Sequence, residues 1–386
     1  MNLRYALVLT AALLTVACSD KGKVKEPAEL QRIAKPTLEA DDFWSARAGN
    51  GSGEFRTGLQ LAVRDDAVFS ADIDGDVFAL NLSSGDRVWK RETGARLAGG
   101  PGVGGTLVTL GTLDAEVIAL DRTTGAEVWR AKLPSEVLAA PVPSGDTVVA
   151  RTVDGRLFGL SAADGARLWS FDRGVPPLTL RGLSQPLVDG DRVITGMDSG
   201  RVAALDLRSG NLLWEQVVSA PTGRSELERL ADVDAELLVS GGDGAKVIFA
   251  ASYGGDLVAL ERDTGAILWR TALRSYSGMA LLDEKLAVSD DDGLVWMLDA
   301  KTGAVLWKSE VLKYRQLSAP AVQSGAIIVG DFEGYLHWLS PLDGHLLARE
   351  RAVRDPIRAP LVSRDRIVFV LSTEGKIVAV ETRPES

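Results

Sequence analysis

Asp74-Gly75-Asp76-Val77-Phe78-Ala79-Leu80, followed by Gly85 and Trp89, decides the fold because the chain keeps returning to it. The same Leu, Gly and Trp recur with unchanged spacing at Leu120, Gly125 and Trp129, at Leu160, Gly165 and Trp169, and at Leu205, Gly210 and Trp214. Leu260, Gly265 and Trp269 follow, then Leu298, Gly303 and Trp307. A seventh copy keeps Leu339 and Gly344 but has Ala348 in the Trp place, and an eighth runs only from Glu374 to Val380. A period of about 40 residues with a strand-turn-strand signature belongs to a propeller or an array of repeated sheets.

Each position in the unit has a mechanical reason. Val77 and Ala79 alternate with other side chains, which suits a strand packed on a neighbouring sheet. The Asp-Gly ahead of that strand marks a hairpin, since Gly reaches positive φ without a steric cost. Thr124-Gly125, Asp164-Gly165, Thr264-Gly265 and Thr302-Gly303 close a second hairpin for the same reason. Trp then opens another strand, where its flat ring fills the gap between blades.

The ends of the chain set the blade count. The eighth copy lacks its Trp-bearing strand, while Asp42-Phe43-Trp44-Ser45 stands one repeat ahead of Trp89. The expectation is an all-β, eight-bladed propeller of four-stranded antiparallel blades, closed by the N-terminal strand and covering residues 41–386. Length alone would suggest two or three domains.

Residues 1–17 read as a signal peptide: Arg4 supplies positive charge, and Ala6 to Ala17 is apolar but too short to span a bilayer. Thr15-Val16-Ala17-Cys18 resembles a bacterial lipobox, which makes Cys18 the expected lipidation site. Cys18 is also the only cysteine, so no disulfide forms within the chain. Several acyl chains would anchor it durably. Ser19 rather than Asp follows the Cys, which favours sorting to the outer membrane. Residues 18–40 are polar and proline-bearing, and read as a lipidated flexible tether.

Composition limits the chemistry. A formal charge of -10 with scattered Lys and Arg argues against a nucleic-acid surface. His337 and His345 are the only histidines, both in the seventh repeat, and are expected at the surface or between blades rather than as bases or metal ligands. Gly99 to Gly105 lacks the Lys-Ser or Lys-Thr of a phosphate loop and reads as a bend between blades one and two. Asp290-Asp291-Asp292-Gly293 lacks the Glu that ends a twelve-residue calcium loop and reads as a turn. The expectation is no catalytic residue, no metal and no cofactor.

The run from Asp292 to Trp307 resembles the repeat of quinoprotein alcohol dehydrogenases, whose eight Trp-docked blades hold pyrroloquinoline quinone. That resemblance implies the fold, with a cofactor-binding propeller as the alternative function. Those enzymes use an adjacent-cysteine disulfide, which one Cys cannot supply. The whole chain resembles the BamB family of lipoproteins, which serves the machinery inserting β-barrels into the outer membrane. The specific segments are Pro177 to Gly182, Glu226 to Asp234 and Gly330 to Trp338. The resemblance implies a non-enzymatic scaffold on the periplasmic face that binds the POTRA domains of BamA, with unfolded outer-membrane proteins as further partners. It assigns partner binding to Leu178, Leu180, Arg181, Asp232 and Asp234, with Arg229 beside them as an expected internal tie.

Overall fold

The computed structural model describes residues 25–174, 183–220, 230–241 and 246–384. Its described residues form eight sheets and no helix. Blade one joins Ala62–Arg64, Ala67–Ala71, Asp76–Asn81 and Arg87–Glu92 in that order, from the channel outward. Blades two to seven repeat the pattern and end on the outer strands Glu127–Lys132, Arg167–Phe171, Leu212–Val217, Ile267–Ala272, Val305–Ser309 and Leu346–Arg351. Middle strands are apolar on both faces because each lies between two blades. Phe69, Val77 and Ala79 of blade one thus pack on Leu97, Leu110 and Ile118 of blade two. Each of the larger side chains among them contributes about 1.5–3 kcal/mol on burial.

The expected closure is present. Leu38–Arg47 is the outer strand of blade eight, paired antiparallel with Lys376–Pro384 from Leu38 opposite Pro384 to Arg47 opposite Lys376. Blade two gains a fifth strand, the dipeptide Gly58–Leu59, parallel to its inner strand at Gly99 and Gly100.

Every docking Trp reaches the hairpin of the next blade. The indole Nε1–H of Trp89 donates to the Arg122 carbonyl at 3.1 Å, that of Trp129 to Ala162 at 2.9 Å, and that of Trp269 to Ala300 at 3.0 Å. Trp44, Trp169, Trp214 and Trp307 do the same to Leu82, Leu207, Arg262 and Pro341. The hairpin glycine is needed twice over. Gly125 has φ 71°, and a Cβ there would stand 2.7 Å from Cε3 of Trp89.

Ala348 marks the seam. Blade eight has no hairpin between its third and fourth strands, since these come from opposite ends of the chain, so a Trp at 348 would have no turn carbonyl to meet. Gln323 bridges the gap: its Nε2 donates to the carbonyls of Arg366 at 2.7 Å and Val380 at 3.1 Å, while its Oε1 accepts from Trp338 at 2.8 Å.

Two expectations change. The glycines from Gly99 to Gly104 form part of the inner strand Leu97–Gly104, not a bend. A Cβ at Gly99, Gly102 or Gly104 would collide with the carbonyls of Ala139, Pro141 or Pro143, on the connector into blade three and on that blade's inner strand. The segment read as a tether to Ala40 is bonded to the ring from Lys25 onward. Ala28 N–H donates to Lys313 O at 2.9 Å, Thr37 N–H to Leu347 O at 3.0 Å, and Arg349 to Gln31 O at 2.9 Å. His337 takes the inter-blade placement of the two expected for it: it is fully buried in the third strand of blade seven, with Nε2 2.9 Å from Asp331 and Nδ1 accepting from Arg349 at 3.3 Å. It is a neutral strut. Burial holds its imidazole below the ordinary range, against the pull of Asp331. The buried Asp331 carboxyl is held low all the same, by its bonds from His337 and Arg315.

Candidate partner-binding face

In a meander of four strands, the connectors between blades and the turns between second and third strands share one face. The Gly-to-Trp hairpins lie on the other. Contacts such as Val218 N–H to Gly200 O at 2.9 Å follow from this. Residues 172–186 and 218–237, which carry the expected site, are the connectors on either side of blade four. The described ends of both therefore lie on the connector face.

Leu178, Leu180, Arg181 and Arg229 lie outside the described residues, as does Cys18. Asp232 and Asp234 are described, and both are buried. The Asp232 carbonyl accepts from Tyr253 N–H at 2.9 Å, which ties the connector to blade five. Asp234 Oδ1 accepts from the backbone N–H of Leu183 at 2.6 Å and of Ser184 at 3.3 Å, while Oδ2 meets Arg56 Nη2 at 3.0 Å. One carboxylate so holds the residues that follow Arg181 and Gly182. A second clamp is the buried pair of Arg151 and Asp198, with Arg151 also 3.5 Å from the Ser184 carbonyl. Asp234 is thus a positioning group, and its side chain is 2% exposed.

Arg56 was not anticipated. It belongs to residues 48–61, which join blade eight to blade one and cross the channel mouth. Gln60 from the same connector bonds Gln185 at 3.0 Å. The mouth is a cavity of about 400 Å³ lined by Arg56, Leu183, Asp234, Glu236, Tyr276 and Arg358, among others. Burial alone raises the Glu236 carboxyl above its usual range. Burial also raises the Tyr276 phenol, with Asp291 adding to the rise and Arg56 opposing it. The sequence signal for this connector is its run of Gly49, Gly51, Gly53 and Gly58 outside the repeat. Nothing local reports that Arg56 pairs across the ring. No group of three or more His, Cys, Asp or Glu suited to a metal occurs among the described residues. Asp290 spends its carboxylate on the backbone of Asp292 and Leu294 and on the Trp296 indole.

A family model described as outer membrane protein assembly factor BamB matches residues 73–309 and 242–386. The chain belongs to the BamB family. Outer membrane protein assembly factor BamB of Pseudomonas aeruginosa is 44% identical over 381 residues, covering 98% of this chain and 99% of that protein. BamB of Escherichia coli K12 is 33% identical over 396 residues, covering 98% and 100%. Among solved structures, BamB from Moraxella catarrhalis superposes with a TM-score of 0.80 at 29% identity, over 89% of this chain and all of that one. A europium-containing methanol dehydrogenase shares the fold alone, with a TM-score of 0.72 at 13% identity over 89% of this chain and 93% of that one.

Proposed function

We propose that this chain is a non-enzymatic scaffold lipoprotein of the outer-membrane β-barrel assembly machinery. Cys18 carries the lipid, and residues 41–386 form the working ring on the periplasmic face of the outer membrane. The chain binds the periplasmic POTRA domains of BamA and assists the folding and insertion of outer-membrane proteins. The observation that carries this reading is the near full-length match to outer membrane protein assembly factors, at 44% identity for the Pseudomonas protein. The site geometry supports it further. Leu178, Leu180 and Arg181 belong to a connector whose far end is held by Asp234 and Arg151. No step of catalysis is assigned. The dehydrogenase likeness speaks for the fold, and the single cysteine does not fit that family's disulfide-based quinone site.

Binding of the purified full-length chain to BamA periplasmic domains tests the proposal. Leu178→Ala combined with Arg181→Ala is expected to weaken it by more than about 1 kcal/mol, roughly five-fold. Unchanged affinity in that variant would remove the site assignment, and no affinity in the parent would remove the function.

A further inference from the structure

Residues 48–61 take a longer path than their ends require. Their first part is bonded to blades eight and one, with Ala48 N–H on Gly375 O at 2.9 Å and Ile73 N–H on Gly51 O at 3.0 Å. Their last part leads into the inner strand of blade one at Ala62. Between these points Arg56 reaches across the channel mouth to Asp234, on the opposite side of an eight-bladed ring, Gly58–Leu59 then runs along the inner strand of blade two, and the Gln60 side chain that follows meets Gln185.

The detour presents side chains rather than hiding them. Phe55 is 64% exposed and Tyr276 41% exposed. Arg56 stands 5.9 Å over the Tyr276 ring, held from below by Asp234, with half of its side chain in solvent. Arg358 is exposed at the same mouth and has no partner among the described residues. Two aromatic rings and two guanidiniums around a concavity form the composition that carries most binding energy at protein interfaces. The matching surface is an apolar side chain beside a carboxylate, since a guanidinium takes a carboxylate with directed bonds.

We infer that Phe55, Arg56, Tyr276 and Arg358 at the channel mouth form part of the protein-docking face, taking a segment with an apolar residue next to an acidic one. This rests on the partner binding proposed above, and the segment belongs to that same partner. The mouth includes Leu183, the first described residue after the sequence segment that carries Leu178 to Arg181. Asp234 serves both halves, holding Arg56 at the mouth and the Leu183–Ser184 backbone at the loop.

The test uses the full-length chain and the partner's periplasmic domains. Phe55→Ala and Arg358→Glu are each expected to weaken binding at least five-fold, with unaltered thermal unfolding because both side chains are exposed. Association of the Arg358→Glu variant should lose much of its salt dependence. If either variant fails to fold, Phe55→Leu or Arg358→Gln replaces it. Parent-like binding by both, alongside loss of binding in the Leu178 and Arg181 variant, overturns this inference and leaves the proposed function standing. Weakening confined to Arg56→Glu also overturns it, since Arg56 would then act only as an internal strut. Parent-like binding by every variant overturns the mouth and the loop together. A parent chain that does not bind removes both readings.

Discussion

Each docking tryptophan combines a large apolar ring with one directed bond, and the two parts can be separated. Trp129→Phe keeps most of the ring and leaves the Ala162 carbonyl without its donor. A loss of about 1–2 kcal/mol is expected in urea unfolding, well below the roughly 3–5 kcal/mol of Trp129→Ala. His337 makes the opposite kind of contribution, through what it does not bind. Burial holds its imidazole below the ordinary range, so between neutral and mildly acid pH the unfolded chain takes up a proton that the folded chain refuses. Stability is expected to fall as pH drops below about 6.5, by up to about 1.4 kcal/mol per pH unit from this group. His337→Gln, measured in urea from pH 7.5 to 5, should give a shallower decline, and an unchanged slope would mean that His337 is not the titrating group. The role of the tryptophans was readable from spacing. The polar partners of His337 were not, because Asp331 and Arg349 are brought to it by strand pairing.

Outer strands carry a bulge at one shared position. In blade two Glu127 faces Leu120 and Trp129 faces Ala119, so Val128 is the extra residue, and Val88, Leu168, Leu213, Leu268 and Leu306 repeat it in their own blades. The extra residue resets the two-residue alternation so that Trp turns toward the next blade, and it twists an exposed edge away from foreign strands. That accounts for apolar side chains such as Val88 at 59% exposure and Leu168 at 51%. Deleting Val128 is expected to rotate Trp129 out of its dock and cost roughly 3–5 kcal/mol, while Val128→Thr should stay within about 0.5 kcal/mol. Comparable midpoints for the two variants would exclude this role for the bulge. The sequence held the signal, two apolar residues side by side in a strand that otherwise alternates. The connectors were less legible. Asp232 and Asp234 were found by resemblance to a family, yet the partner of Asp234 is Arg56, 178 residues away, on a segment outside the repeat.

For the ring as a whole, the seam between blades seven and eight differs from the other junctions. Ala348 is 3% exposed in a core with Trp338, Val370 and Val378. Ala348→Trp would restore the repeat's pattern and is nonetheless expected to destabilise by about 1–3 kcal/mol, because the ring would overpack a filled core with no turn carbonyl to receive its N–H. A stabilised variant would show that the repeat pattern, not the seam, governs this junction. Blade number and closure followed from the broken first and last copies. How the N-terminal segment is held did not, since it depends on Arg315 and Arg349 meeting the carbonyls of Ala28 and Gln31. The closing pair of strands joins Leu38 to Pro384, nearly the whole length of the chain. Bringing such distant ends together costs roughly 4 kcal/mol more in loop entropy than closing a tight hairpin, and topology of this kind slows folding. A chain cut before residue 376 leaves Leu38–Arg47 without its partner strand, so the ring's last edge is sealed only when segments from both ends of the propeller are present.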